Sequence, residues 1–269
     1  MKEVFGMWKY TKMVVLVALS AAIFAALLIP FKALVLIPGF TEVRPANAFP
    51  VVLGLLFGPA GAWGAAIGNL IGDFFGTLGV GSIFGFIGNF FSAYVPYKLW
   101  SKLGLVDEKD EDPLLLNNTK KLINFVVMAI MSSMSCALII AWGCEVLQLV
   151  PFAALATIIS VNNTIPSIVL GIPLMLILYP RIKKWDLLWT DIVEEEYLDK
   201  KSAMAKVGAL LMVVGIVGGF TVGLIAALGL SGQAVFASGF AQGQVGNVGV
   251  ALLAGIGVAL TVIGGFMQK

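Results

Sequence analysis

The sequence predicts an all-α polytopic membrane protein, a six-helix core followed by a two-helix transmembrane hairpin, and three observations carry that prediction. First, hydrophobic residues make up 59% of the 269-residue chain and charged residues only 12%, with a mean hydropathy of +0.99. A soluble domain carries about 25% charged residues, so this chain has too few to cover a water-facing surface and much of that surface must meet lipid. Second, apolar stretches near the length of a spanning helix, about 20 residues, recur along the whole chain. Third, lysine and arginine collect in alternate connections, as the positive-inside rule requires of a multi-pass protein.

The stretches are read in order at about 12–29, 46–58, 60–76, 82–100, 120–147, 152–180, 204–229 and 245–267. The first is long, lacks a clear small-residue cleavage site and is followed by further spans, so it is read as a helix and not as a cleaved signal peptide. The second and third are short and meet at Gly58-Pro59 without a polar loop. Proline there stops one helix and lets the next begin, which predicts either a tight hairpin or one broken element. With the N-terminus in the cytoplasm and eight crossings, 15 of the 17 lysines and arginines fall inside, leaving Lys32 and Arg44 outside. Both termini are therefore expected in the cytoplasm and the protein in the plasma membrane. The charged loops at 107–112 (DEKDED) and 191–201 (DIVEEEYLDKK) also fall inside. The second divides the chain into a core, 1–190, a linker, 191–201, and an extra two-span hairpin, 202–269.

Composition also excludes functions. A net charge of +2, with its basic residues in loops, does not suit nucleic acid. The absence of histidine removes the commonest metal ligand, general base and proton relay. Neither a metal nor a cofactor is expected, and an enzyme is disfavoured because no paired-glutamate or Ser-Lys arrangement stands out. Cys136 and Cys144 lie in one apolar segment and read as inert helix residues, not as a disulfide or metal pair. No Gly-x-x-x-x-Gly-Lys-Ser/Thr stretch occurs, so any ATP-driven step needs an external ATPase.

In the first helix, ALSAAIFAAL puts Ala18, Ala22 and Ala26 four apart on one face. Small residues at that spacing let helix backbones approach closely in lipid, either within the chain or against another protein. The alanine-rich helix, the long loop after it and RPANAFPVVLGLLFGPAGAWGAAIGNLIGD at 44–73 together resemble the substrate-binding S component of energy-coupling factor (ECF) transporters, nearest to the vitamin and queuosine-precursor types. SVNNTIPSIVLGIPLMLILYPRIKK at 160–184 is similar to that family's last helix. The resemblance covers about residues 10 to 185. It implies a subunit that binds a small organic nutrient outside the cell and works with a membrane T component and a pair of cytoplasmic ATPases. It also implies that Ala18 and Ala22, with Ala26 on the same face, dock onto the T component. Such cores end after six spans, so residues 201–269 depart from the pattern, and the resemblance gives them no role.

Ionisable and polar groups at membrane depth are costly and point to function. Glu42 and Arg44 sit at the outer end of the loop into the second segment, Asp73 at the outer end of the third, and Glu145 and Gln148 at the outer end of the fifth, with Trp142 one turn deeper. Asn162 and Asn163 lie about ten residues into the sixth, roughly 15 Å at 1.5 Å per residue. These eight are the candidate substrate-binding residues. Arg44 reads equally as a ligand contact or a structural strut beside Pro45, Asp73 as a ligand contact or a cap on the following turn, and Trp142 as a stacking or an interfacial residue. Glu145 stands out because no cationic neighbour accompanies it in sequence. Paired amides at mid-depth suit a heterocycle with mixed donors and acceptors. Asn69 and Asn89 read as helix-packing residues. The mildly apolar loop 31–43, segmented by Pro30, Pro38 and Gly39, reads as a lid on the cavity or as an interfacial segment. The alternative function is a stand-alone secondary transporter or channel for a small organic solute, which discontinuous helices would also suit.

Overall fold

A computed structural model of the chain describes residues 2–37, 40–106, 110–198, 202–236 and 243–268. Pro38 and Gly39 of the outer loop, 107–109 of the first charged loop and 199–201 of the second lie outside the described residues. A short α1 (Lys2–Gly6) leads into α2 (Thr11–Leu28), and a small antiparallel ladder follows, β1 (Val35–Ile37) against β2 (Thr41–Glu42). Then come α3 (Ala48–Phe57), α4 (Pro59–Asp73), α5 (Ser82–Leu99), α6 (Thr119–Val146), α7 (Phe152–Val169), α8 (Gly171–Lys184), the one-turn α9 (Trp189–Ile192), and the pair α10 (Ala203–Ser231) and α11 (Val248–Met267). Five of these, α2 with its extension to Phe31, α6, α7, α10 and α11, are long and apolar enough to cross a membrane. This is a multi-pass, all-α membrane protein.

The break between the second and third apolar segments is a hairpin. Gly58 takes a left-handed φ of 52° against the Trp189 ring, and the backbone of Gly61 comes up against the Leu53 carbonyl. The open ends of the hairpin meet again, because Arg44 before α3 reaches Asn69 near the end of α4. α3 has only 10 residues, about 15 Å, too short for a hydrocarbon core of about 30 Å. Its burial explains the tolerance: every residue of α3 except Phe49 is buried in protein, so lipid thickness does not set its length.

The sixth segment departs from the single span expected over 152–180. It is split into α7 and α8 at Leu170. Pro173 has no N–H to offer the Val169 carbonyl, and its ring crowds that group. Gly171 sits at the break, against the Phe125 ring and Val52.

α2 and α4 interlock through small residues. A Cβ on Gly64 would lie 2.2 Å from Ser20 Cβ, and one on Gly68 would lie 2.8 Å from the Ala21 carbonyl oxygen. The face of α2 carrying Ser20, Ala21 and Ala25 is thus used inside the chain, while Ala18, Ala22 and Ala26 are exposed. Gly64→Val is expected to lower stability by about 3 kcal/mol, the upper end for overpacking, read as a fall in melting temperature in detergent. Gly218→Ala, with open space around its Cα, should be neutral or slightly stabilising.

α10 and α11 pack on each other with the backbones of Gly219 and Gly257 in direct contact, and the pair lies against α6 and α7. At the end of the bundle that holds most lysines, Lys98 is buried against Glu3 at 2.7 Å. In the loop before α6, Asp110 pairs with Lys121 at 2.6 Å, and Asp112 accepts from Lys183 at 2.7 Å and from the Tyr179 hydroxyl at 2.9 Å. The Lys121 hydrogen bond holds the Asp110 carboxyl below its usual value of 3.8, and the Lys183 bond, then the Tyr179 bond, does the same for Asp112. A depressed folded-state pKa adds stability above the unfolded value, and that stability is lost as pH falls through the folded value. The melting temperature is therefore expected to fall below about pH 4, modestly because both carboxylates are partly exposed and their pairing is screened. Asp112→Asn should flatten that part of the profile.

Candidate outer-cavity binding site

Four charged side chains converge where α2, β2, α3 and α4 meet. The chain leaves α2 through a single 3-10 turn, Ile29–Phe31, which delivers Lys32. β2 delivers Glu42, and Arg44 caps the 3-10 turn Pro45–Asn47 that opens α3. Lys32 Nζ and Arg44 Nε each lie 3.0 Å from Glu42 Oε1. The angles at these two contacts fall outside the hydrogen-bonding range, so the attraction is coulombic and not directional. Lys32 Nζ also lies 3.4 Å from Asp73 Oδ1 and donates to Thr77 Oγ1 at 2.6 Å. Thr77 in turn donates to Asp73 Oδ1 at 2.8 Å.

Helical spacing extends the network. Asn69 and Asp73 stand one turn apart on α4, so Asn69 Nδ2 donates to Asp73 Oδ2 at 3.2 Å while its Oδ1 accepts from an Arg44 terminal nitrogen at 2.9 Å. α5 comes close enough to enclose this pair because it presents Gly85, where a Cβ would sit 3.0 Å from Asn69 Nδ2. From α7, Asn162 donates to the Glu42 carbonyl at 2.7 Å and accepts from the Arg44 backbone N–H at 3.3 Å. Asn163 accepts from Asn47. Glu42 is 1% exposed, Arg44 7% and Asp73 4%. Two cations and two anions are thus held out of water, where each survives only because it is paired.

Beside this polar wall lies a cavity of about 250 Å³. Arg44, Asn69, Asp73 and Asn163 supply polar groups to its lining, and Cys136, Ile140 and Cys144 of α6 with Ile159 of α7 supply apolar ones. Phe40, Thr41, the 79–82 loop and Leu149 border it. Apolar walls with a few convergent polar groups are what a small-molecule site requires. The volume lies below the usual range of about 300–1,000 Å³ for drug-sized ligands, and so suits a smaller one.

The structure brings Glu42, Arg44, Asp73, Asn162 and Asn163 together, and it places the other three candidates elsewhere. The Glu145 carboxylate does not face the cavity. It accepts from the Phe152 N–H at 2.9 Å, from Gln233 Nε2 at 3.0 Å and from the Asn247 N–H at 3.1 Å, because the orphan amides at the start of α7 and in the α10–α11 loop converge on it. The Trp142 indole donates to the Ala251 carbonyl at 3.0 Å and packs on Gly255. Gln148 is exposed, in a left-handed turn against Gly246. All three serve the contact between α6 and the C-terminal pair.

Lys32, Asn69, Thr77 and the two cysteines are cavity-end residues that the sequence reading did not select. The i−4 and i+4 spacing of Asn69 and Thr77 about Asp73 was the available signal. So was the eight-residue spacing of Cys136 and Cys144, which puts both on one helix face with Ile140. Asn89 donates to the Gly85 carbonyl within its own helix at 2.9 Å and does not border the cavity.

A protein-family model described as QueT transporter matches residues 14–180, more than half of the chain. The chain belongs to the QueT transporter family. This agrees with the resemblance to ECF S components of the queuosine-precursor type. No curated protein and no solved structure matches the chain. The QueT match runs from α2 into α8 and contains every residue bordering the cavity, while α10 and α11 lie outside it.

Proposed function

We propose that this QueT-family chain is the substrate-specific subunit of an ATP-driven importer, capturing a queuosine precursor or similar nucleobase-like nutrient on the extracellular side. The observation that supports it best is the small cavity inside the family-matched region, whose lining combines Arg44, Asn69, Asp73 and Asn163 with apolar α6 and α7 side chains. A planar base presents donors and acceptors along its edge and an apolar face, and a lining that mixes a few polar groups with apolar side chains complements such a molecule. Asn162 and Glu42 act from behind, fixing the backbone that presents Arg44.

The 15-to-2 distribution of lysine and arginine supports an outward-facing cavity and cytoplasmic termini. Phe40 and Thr41 at the β1–β2 turn border the cavity, and Lys32 ties that ladder to α4. The ladder is the lid in this reading, and Lys32 is its latch. The exposed Ala18, Ala22 and Ala26 face of α2 is the docking surface for a T component, which two cytoplasmic ATPases power.

Two measurements test the reading. Mass spectrometry of small molecules that co-purify with the detergent-solubilised chain should find a nucleobase-like compound. Proteoliposome uptake of that compound should need the T component, the ATPases and ATP. Ion-gradient-driven accumulation by the purified chain alone would establish a secondary transporter instead.

A further inference from the structure

The C-terminal pair α10–α11 lies outside the family match, yet it is joined to the cavity wall by the most buried carboxylate at that end of the molecule. Glu145 is 0% exposed and Gln233 4%. α7 begins after Pro151 without a side-chain cap of its own, so its first N–H groups need outside acceptors. Glu145 takes the Phe152 N–H at 2.9 Å, and Gln233 Oε1, from the C-terminal pair, takes the Ala153 N–H at 2.9 Å. Gln233 Nε2 closes the arrangement by donating to Glu145 at 3.0 Å and to the Gln244 carbonyl at 2.8 Å. The Asn247 N–H supplies a third bond to Glu145, and Gly246 fits over the left-handed Gln148, where a Cβ would come within 2.6 Å of its Cγ. The residues so held are the α6–α7 turn and its flanks. Cys144 and Leu149, on either side of Glu145 and Gln148, border the cavity.

We infer that the C-terminal hairpin is a built-in brace of the cavity: Gln233 and Asn247 hold Glu145, and through it the α6–α7 turn that carries Cys144 and Leu149 into the cavity wall. Glu145 and Gln233 are positioning residues. Removing a partner leaves a buried carboxylate or helix-terminal amide unsatisfied, and the turn opens more often. The effect on substrate affinity rests on the cavity being the ligand site, whereas the opening of the turn does not.

The test reads that opening without any ligand. In the full chain carrying Cys136→Ala, Cys144 is the single thiol, and its rate of alkylation by N-ethylmaleimide reports access through the cavity wall. Gln233→Ala and Glu145→Gln should each raise that rate at least about fivefold, the factor one lost hydrogen bond puts on an opening equilibrium. Tyr94→Phe, which loses the bond to the Gly265 carbonyl at the far end of the hairpin, should not. Unchanged labelling in Gln233→Ala and Glu145→Gln overturns the brace, and so does an equal rise in Tyr94→Phe, which would signal general loosening. Faster labelling with unaltered affinity for the co-purifying compound upholds the brace and counts instead against the cavity as the substrate site.

Discussion

Arg44→Ala is expected to lower affinity for the transported compound at least a hundredfold. The side chain links Glu42 to Asn69 and faces the cavity, so its loss removes both a candidate ligand contact and one partner of a buried anion. Breaking a buried ion pair from one side costs about 3–5 kcal/mol, and each 1.4 kcal/mol is tenfold in an equilibrium constant. Part of that cost falls on folding, which the double variant Glu42→Gln with Arg44→Ala separates. With Glu42 neutralised, Lys32 and Asp73 remain as a balanced pair, so the melting temperature should recover toward that of the parent while binding stays lost. If the double variant binds normally, Arg44 is a strut and the polar wall is not the recognition surface.

Ala18→Trp with Ala22→Trp should leave substrate binding intact and reduce ATP-driven uptake at least about a hundredfold. Both alanines are exposed on α2, on the side away from the seam with Gly64 and Gly68, so the indoles do not disturb the core. Two overpacked positions in a helix–helix seam, at about 1–3 kcal/mol each, account for a loss of that size. A T component that still co-purifies with the variant would refute this face as the docking surface.

The fold was largely legible because its apolar segments are bounded by charge and by Gly-Pro punctuation, and the helices begin and end within a few residues of the expected positions. Two departures have local causes. The split at Leu170 comes from Pro173, which a reading by hydropathy passes over because proline hardly alters it. The brevity of α3 follows from burial on all sides, and burial is a property of the assembled bundle. In the candidate site, Glu42, Arg44 and Asp73 stand out in the sequence because a charge in an apolar chain is conspicuous. Glu145 was conspicuous for the same reason, and its lack of a cationic neighbour did imply a partner from elsewhere. That partner is a set of backbone and amide N–H groups reaching to Asn247, a tertiary contact for which neither periodicity nor spacing gives a signal. The cysteines read as inert helix residues and not as a disulfide or metal pair, a reading that carries no signal of their place in the cavity lining on α6.

Formal charges in the cluster at the cavity end cancel: Lys32 and Arg44 against Glu42 and Asp73. An unbalanced unit charge displaced through the full transmembrane voltage changes in energy by about 2.3 kcal/mol per 100 mV. A cluster whose own charges sum to zero contributes no such coupling when it is displaced as a unit. Movement of this end of the protein along the membrane normal therefore does no electrical work through these four side chains, and any voltage dependence of import would have to come from charge carried elsewhere.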